Sequence, residues 1–312
     1  MDAETLVREI IARETCLANY ELEGELGRGG MGAVFRVRDR RAGTERALKI
    51  VLPESAQRPL VRTFFAREMQ NALALDHPHI VKSFAAGVSS ETPYLLMEYC
   101  SGGSVDMLMT KMGRPVPLDQ AVTITLEVLD ALEYAHTAEI REVKLSDGTT
   151  ATAHGLVHRD IKPQNIFLAE AAGRTTAKLG DYGLSKAYEL AGLSGLTTRG
   201  VGVRGTLPFM PRKQLGNPLG AGPEVDIWAV AATLYAMLTG ETPRDFTAKA
   251  DVSPDAYPYY IVQETLPVPI RFREPGVPAR IAELLDRALN DEDDLAFQTA
   301  SQFRQELQAA LE

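Results

Sequence analysis

Cysteine is rare in this sequence, and it has no long hydrophobic run. Its 312 residues include only two cysteines, Cys16 and Cys100, which excludes a protein held together by a disulfide framework. The longest predominantly apolar run covers residues 227–238 and is too short for a membrane-spanning helix, which needs about 20 residues. The first residues are acidic and do not follow the basic-then-apolar pattern of a signal peptide. We therefore expect a soluble, cytoplasmic protein with no membrane segment in this chain.

Basic residues are outnumbered by acidic ones, 33 to 42, so the formal net charge is −9. A nucleic-acid-binding protein neutralises phosphates with clustered Lys and Arg, so this composition argues against nucleic acid as a partner. Hydrophobic residues make up 45% of the chain and charged residues 24%, which excludes a disordered protein. The length fits two domains or one unit with two lobes.

Strand-like and helix-like patterns are separated along the chain. The predicted strands are residues 20–26, 33–38, 46–51, 81–88 and 93–99, with one helical stretch at 61–75 between them. The long predicted helices follow, at 119–138, 223–239, 278–289 and 301–312. The N-terminal extension, residues 1–19, has the apolar spacing of an amphipathic helix. We expect this helix to cover the domain, and a partner-binding helix is the alternative.

A glycine-rich segment follows the first predicted strand. Gly27, Gly29 and Gly32 form a G-x-G-x-x-G pattern, and Val34 comes two residues later. Glycines let the backbone turn sharply and bring its N–H groups against phosphate oxygens. A dinucleotide-binding fold would need a helix here, and a P-loop would need Gly-Lys-Ser/Thr, which is absent. The pattern alone leaves a nucleotide site and a plain hairpin equally open.

Two later segments decide between these alternatives. Residues 157–165 read V-H-R-D-I-K-P-Q-N, and Asp181-Tyr182-Gly183 begins 16 residues after Asn165. The combination of H-R-D-x-K-x-x-N with D-aromatic-G is highly specific. From about residue 20 to 311 the sequence resembles the eukaryotic-type protein kinases, and it is most similar to the bacterial serine/threonine kinases of the mycobacterial receptor-kinase type. The resemblance implies an α+β, protein-kinase-like bilobal fold, with ATP between a β-rich N-lobe (20–99) and a mainly helical C-lobe (100–312).

The resemblance also implies four catalytic side chains. Asp160 would accept the proton of the substrate hydroxyl, and Lys162 would steady the γ-phosphate. Lys49, in the third predicted strand, would hold two phosphates while it pairs with Glu68 on the interposed helix. Such a buried pair would serve geometry more than stability.

The implied metal and nucleotide contacts complete the site. Asn165 and Asp181 would ligate Mg²⁺ (or Mn²⁺), because hard cations take oxygen ligands. Met97 would be the gatekeeper beside the adenine, whose edge would bind the backbones of Glu98 and Cys100. The full implied ATP-binding set is Leu26, Gly27, Gly29, Gly32, Val34, Ala47, Lys49, Met97, Glu98, Cys100, Phe167 and Asp181.

The resemblance further predicts a phosphorylation switch between Asp181 and Thr206. Thr197 and Thr198 are the expected phosphorylation sites, and Arg159 would pair with the phosphate. Thr206 would instead contact the catalytic aspartate.

Three departures from the family pattern carry further predictions. Tyr182 replaces the usual phenylalanine, so its hydroxyl would need a partner. Residues 139–155 form an insertion in which Asp-Gly separates two β-prone runs, which predicts a projecting hairpin that is either surface decoration or a docking element. Lys213 stands where the family has a glutamate, and Ala296 stands where the partner arginine would be. The acidic run at 291–294 is then either a solvated turn or one half of a reversed pair with Arg212 or Lys213.

The function implied by the resemblance is transfer of the ATP γ-phosphate to Ser or Thr hydroxyls of proteins. A nucleotide-binding pseudokinase scaffold and a small-molecule kinase are the alternatives. Docking of partners would use the N-terminal helix or the inserted hairpin.

Overall fold

The structure is a computed structural model, and it describes residues 2–29, 32–52, 56, 69, 72–144, 150–182, 206–217, 220–247, 252–253, 256–292 and 294–312. Of the predicted helix at 61–75, the structure describes residues 69 and 72–75, and residues 69 and 72–74 are helical.

Five antiparallel strands form the sheet of the N-terminal lobe, in the order β1-β2-β3-β5-β4. Their bounds are β1 Tyr20–Arg28, β2 Gly32–Asp39, β3 Glu45–Val51, β4 Ser83–Ser89 and β5 Thr92–Glu98. All five strands predicted from the sequence are therefore confirmed, with ends that differ by no more than two residues. The register places Val34 opposite Lys49 and Ala47 opposite Met97, which brings four predicted nucleotide contacts onto one region of the sheet.

Helix α1, Ala3–Arg13, covers the other face of this sheet. Asp2 caps the helix by accepting a 2.9 Å hydrogen bond from the backbone of Thr5. The apolar face of the helix packs on one row of strand residues. This row alternates along the strands with the residues predicted to contact the nucleotide, because successive strand side chains point to opposite faces. The buried members of this row are Ala33, Phe35, Val37, Leu48, Ile50, Tyr94 and Leu96. The prediction that the N-terminal helix covers the domain is thus confirmed.

The C-terminal lobe is mainly helical. Its helices are α2 Val105–Met112, α3 Leu118–Thr137, α4 Arg212–Gly216, α5 Glu224–Thr239, α6 Tyr257–Glu264, α7 Ile270–Arg273, α8 Ala279–Leu289 and α9 Ala300–Ala309. Residues 224–238 of α5 are all buried, as expected for a helix that is apolar on nearly every side. This helix forms the centre of the lobe and packs against α3, α8 and α9. No helix among the described residues is both long and apolar enough to cross a membrane.

Two hairpins flank the segment that carries the catalytic motif. The predicted insertion contains paired strands β6 Glu139–Lys144 and β7 Thr150–His154, and its turn at 145–149 lies outside the described residues. Gly155 ends this hairpin with φ of +78°, and a Cβ at this position would lie 2.6 Å from the His136 carbonyl oxygen. The second hairpin, β8 Ile166–Ala171 and β9 Arg174–Leu179, was not predicted, and it places Asn165 and Asp181 at the same end.

Candidate active site

Three side chains converge on the carboxylate of Asp160, which lies in the loop between β7 and β8. Lys162 Nζ is 2.9 Å from both carboxylate oxygens. Asn165 Nδ2 donates to Oδ2 at 2.8 Å, and Thr206 Oγ1 donates to Oδ1 at 2.9 Å. The predicted contact between Thr206 and Asp160 is therefore present. Lys162 Nζ, which also donates to Thr206 Oγ1 at 2.8 Å, connects the two residues a second time.

Asp226, in the first turn of α5, binds the backbone of the catalytic loop, which carries Asp160. Its fully buried carboxylate accepts hydrogen bonds from the backbone N–H of His158 at 2.8 Å and of Arg159 at 2.6 Å. Arg159 has φ of +65°, a strained conformation for a residue with a side chain, and these bonds stabilise it. His136 Nε2 lies 2.8 Å from the same carboxylate. Asp226 was not among the predicted site residues, although an acidic residue inside a predicted apolar helix is a signal that could have identified it.

Lys49 and Asp181 form an ion pair across the cleft between the lobes, with Nζ and Oδ1 2.8 Å apart. Burial tends to raise the pKa of the Asp181 carboxyl, but the charge and hydrogen bond of Lys49 outweigh it, so the pKa lies below its ordinary value. Asp181 is therefore ionised at neutral pH. Glu68, the predicted partner of Lys49, lies outside the described residues.

The residues at the end of β8 and β9 fit a divalent cation. The amide nitrogen of Asn165 donates to the backbone oxygen and to the carboxylate of Asp160, both at 2.8 Å, which leaves its amide oxygen as the atom that can ligate a metal. Asp181 adds an ionised carboxylate. An amide oxygen and a carboxylate are ligands that Mg²⁺ and Mn²⁺ accept.

The glycine-rich loop joins β1 and β2, and its three predicted glycines have different roles. A Cβ added at Gly27 or Gly29 would meet nothing within 4 Å, so both border open space in which a phosphate could lie. A Cβ at Gly32 would lie 2.6 Å from the backbone oxygen of Ile50, so the packing of β2 on β3 already requires glycine there. Gly29 N donates to Gly32 O at 2.9 Å and closes the loop.

The predicted hinge lies at the end of β5, which includes Met97 and Glu98, and in the residues that follow. The Glu98 N–H donates to the carbonyl of Lys82 at 2.8 Å, and its carboxylate pairs with Lys178 at 3.0 Å. Burial raises the pKa of the Cys100 thiol to about 12, so this cysteine is a protonated packing residue. Met97 lines a small cavity together with Asp181 and Tyr182.

The other predicted adenine contacts differ in burial. Ala47 is buried, Val34 and Phe167 are half-buried, and Leu26 is exposed. Phe167 packs close to Gly180, where a Cβ would lie 2.7 Å from its ring.

Arg159 has a guanidinium group that is only partly satisfied. Its Nη2 donates to the carbonyl of Ala221 at 2.6 Å, whereas Nε and Nη1 are buried and have no hydrogen-bond partner in the part of the chain that the structure describes. The predicted phosphorylation sites, Thr197 and Thr198, lie outside the described residues.

Tyr182 is buried where the family resemblance leads one to expect phenylalanine. Its ring packs edge-on against His158, with the centroids 4.7 Å apart. Burial and the negative charge of Asp226 raise the pKa of the Tyr182 hydroxyl well above its ordinary value. No partner for this hydroxyl exists among the described residues, so the predicted partner is not found in this part of the chain.

The acidic run at 291–294 contains one fully buried member, Asp291, so a wholly solvated turn is the wrong interpretation there. The predicted reversed pair between Arg212 and Asp291 is present at the distance limit for an ion pair, with Arg212 Nε 4.0 Å from Asp291 Oδ1. The main partner of Asp291 is Arg244, which was not predicted. Lys213 pairs instead with Glu224, at 2.9 Å.

A two-lobed fold with this cleft is that of a protein kinase catalytic domain. The sequence profile described as "Protein kinase domain" matches residues 20–289, and the chain belongs to this family, as predicted. It is similar to serine/threonine-protein kinase PknB of Mycolicibacterium smegmatis, with 32% identity over 92% of this chain and 42% of that protein. It is also similar to serine/threonine-protein kinase PknJ of Mycobacterium bovis, with 30% identity over 94% of this chain and 46% of that protein.

Solved structures agree on the fold. The kinase domain of Mycobacterium tuberculosis PknI superposes with a TM-score of 0.65 and 23% identity, covering 94% of this chain and 96% of that domain. At this identity the similarity concerns the fold alone. The chain spans less than half the length of the curated relatives it matches.

Proposed function

We propose that this chain transfers the γ-phosphate of ATP to serine or threonine hydroxyls of protein substrates. The observation that carries the proposal is the convergence of Lys162, Asn165 and Thr206 on the carboxylate of Asp160. Members of the family use ATP and a divalent metal. The relatives PknB and PknJ are described as serine/threonine-protein kinases, which supports the choice of substrate hydroxyl.

The proposed mechanism assigns proton acceptance to Asp160. Phosphoryl transfer needs an oriented nucleophile and compensation of charge, and little covalent chemistry from the protein. The carboxylate already accepts a hydrogen bond from the hydroxyl of Thr206, so a substrate serine or threonine could donate to it in the same way. Lys162, held beside it, would compensate charge on the transferred group.

Asn165 and Asp181 would hold the cation, which we propose to be Mg²⁺ or Mn²⁺. When bound, the cation neutralises charge on the phosphates. Lys49, which is paired with Asp181 here, would orient the phosphates together with Glu68. Gly27 and Gly29 border the open space that the phosphates would fill.

The adenine would lie between Val34 and Ala47 of the N-lobe and Phe167 of the C-lobe. Its edge would bind the backbones of Glu98 and Cys100 beside Met97. Leu26 would cover the adenine on the side that faces the solvent. These assignments imply lobes at 20–99 and 100–312, with residues 1–19 as an extension of the first.

Neither alternative function has a specific observation in its favour among the described residues. A small-molecule kinase has no need for the contact between Thr206 and the catalytic aspartate. A pseudokinase would be expected to lack one of the catalytic groups, and each one that the structure describes is present.

Radiolabelled ATP tests the proposal. The wild-type chain should label myelin basic protein on serine or threonine, while Asp160→Asn and Lys49→Met should each lose about 10²–10⁴-fold in turnover because the proton acceptor or the phosphate contact is gone. Both variants should keep a wild-type unfolding transition. Turnover of Asp160→Asn within tenfold of wild type would contradict the assignment of Asp160.

We also propose that phosphorylation of Thr197 or Thr198 activates the chain. The support is Arg159, because leaving buried guanidinium nitrogens without partners costs about 1–3 kcal/mol and a phosphate could satisfy both. Mass spectrometry of active protein should find phosphate in the segment between Asp181 and Thr206. Full activity in protein that carries no phosphate in this segment would refute the switch.

The proposed partners are proteins. The apolar face of α1 is used to cover the N-lobe sheet, so a partner could dock only on its polar face or on the inserted hairpin. Because ATP is the phosphate donor, we place the proposed reaction in the cytoplasm.

A further inference from the structure

A fully buried ion pair joins two parts of the C-lobe that are distant in sequence. Arg244 Nη2 lies 2.5 Å from Asp291 Oδ2, and neither side chain has any solvent exposure. The guanidinium carbon of Arg244 also lies 5.0 Å from the ring centre of Trp228, which α5 buries in the core. Moving two charges out of water costs free energy, so stability alone does not explain why this pair is buried.

Two of the remaining hydrogen bonds of this pair lead to the segment that follows Thr206, and a third leads to Thr265. Arg244 Nη1 donates to the carbonyl of Met210 at 3.3 Å, and its Nε donates to Thr265 O at 3.1 Å. Asp291 Oδ2 accepts the backbone N–H of Arg212 at 2.9 Å. The pair therefore holds the backbone on both sides of residue 211.

The guanidinium group of Arg212 adds further hydrogen bonds between the backbone near residue 211 and the rest of the lobe. Its Nε donates to Val262 O at 3.1 Å, and its Nη2 donates to Thr265 O at 3.0 Å. Thr265 O thus accepts from both arginines. These bonds tie the segment to α6 and to the residue that follows it.

The segment held in this way touches the catalytic loop at both of its ends. At one end the hydroxyl of Thr206 donates to Asp160. At the other end Gln214 Nε2 donates to the backbone carbonyl of Arg159 at 2.9 Å. A shift of residues 210–212 would therefore be transmitted to both contacts with the catalytic loop.

The positions at which the family resemblance implies a comparable ion pair cannot supply it in this chain. Lys213 is engaged with Glu224. Ala296 carries no charge and is exposed. The buried pair of Arg244 and Asp291 connects the same part of the chain to the lobe from different positions.

We propose that Arg244 and Asp291 are positioning residues that hold the segment 206–214 against the catalytic loop, so that a protein substrate meets Asp160 in the correct geometry. This inference rests on the proposed kinase function. It predicts that loss of the pair impairs use of the protein substrate far more than binding of ATP, because none of the nucleotide contacts lies on the segment.

The decisive variant is the double substitution Arg244→Met/Asp291→Asn. It removes both charges together, so neither is left buried alone, and the asparagine can still accept from Arg212 N–H. Misplacement of a reacting group by about 1 Å costs up to about 100-fold in rate, so we expect kcat/KM for myelin basic protein to fall at least about tenfold. The KM for ATP should stay within about twofold of wild type, a ratio equivalent to only about 0.4 kcal/mol.

Two further variants keep the test sharp. Arg244→Lys retains the charge that faces Asp291 but lacks the planar fork that reaches Met210 and Thr265, so it should give a smaller loss in the same parameter. Arg304→Met is the matched control, because Arg304 pairs with Asp130 at 2.6 Å and has no contact with the segment. It should leave the kinetics for both substrates unchanged.

Several outcomes would overturn the inference. One is unchanged protein-substrate kinetics in a folded double variant, or in Arg244→Lys if the double variant does not fold. Another is a parallel fall in the parameters for both substrates that follows the loss of folded protein in thermal unfolding. Failure of wild-type protein to phosphorylate any substrate would instead refute the proposed function, and the positioning role with it.

Discussion

The buried hydroxyl of Tyr182 should destabilise the structure, so Tyr182→Phe is expected to stabilise it. The hydroxyl is desolvated, stays protonated and has no partner among the described residues. An unsatisfied buried polar group of this kind costs about 1–3 kcal/mol. Phenylalanine keeps the ring that packs edge-on against His158 and removes only the oxygen. The free energy of unfolding should therefore rise by about 1–3 kcal/mol, which corresponds to about 2–4 °C in Tm for each kcal/mol.

Differential scanning calorimetry on purified wild type and variant measures this effect. Tyr235→Phe is the matched control, because Tyr235 is also fully buried but its hydroxyl donates to Val268 O at 2.9 Å. The same substitution there should lower the free energy of unfolding by about 0.5–1.5 kcal/mol, since a satisfied hydrogen bond is lost. Opposite signs for the two variants are the expected result. A lower Tm for Tyr182→Phe would refute the reasoning, because it would mean that the hydroxyl stabilises the native state.

Two other substitutions test contacts outside the catalytic loop. Lys213→Glu should destabilise the protein by up to about 1 kcal/mol, because it places a like charge against Glu224 in a partly exposed pair. Lys213→Gln is the neutral control. If Lys213→Glu is as stable as wild type in urea denaturation, the pairing is contradicted. Gly32→Ala should cost about 1–3 kcal/mol, since its Cβ would press on the carbonyl of Ile50, whereas Gly27→Ala should change stability by less than about 1 kcal/mol. Equal losses for the two glycine variants in the same denaturation assay would show that the close approach of the strands at Gly32 is not what requires glycine.

The fold could be predicted from the sequence because its signals are local. Each strand of the N-lobe has its own run of alternating residues, and the catalytic aspartate, lysine and asparagine lie within six residues of one another in the chain. Residues that lie so close in the chain can be recognised as one site without any knowledge of the tertiary structure. The strands β8 and β9 were missed because they follow the motif directly and because β8 begins with four apolar residues in a row, without alternation.

The remaining features depend on contacts between distant residues. Asp291 is indistinguishable in sequence from its acidic neighbours, and only the packing of Arg244 beside it shows that it is buried. Lys213 was expected near those acids, but Glu224 lies closer in the folded chain. The sequence shows that Tyr182 departs from the family pattern, yet the absence of a partner for its hydroxyl is a property of the packed interior.

The packing of α1 has a consequence for any shortened form of the protein. The family match begins at residue 20, whereas the hydrophobic cluster of the N-lobe begins at Ala3. A fragment trimmed to the family boundary would present the apolar side of the sheet, including Phe35 and Leu48, directly to water. Exposed apolar surface on a sheet promotes self-association, so such a fragment is expected to aggregate. The smallest well-behaved catalytic fragment should therefore retain the N-terminal helix.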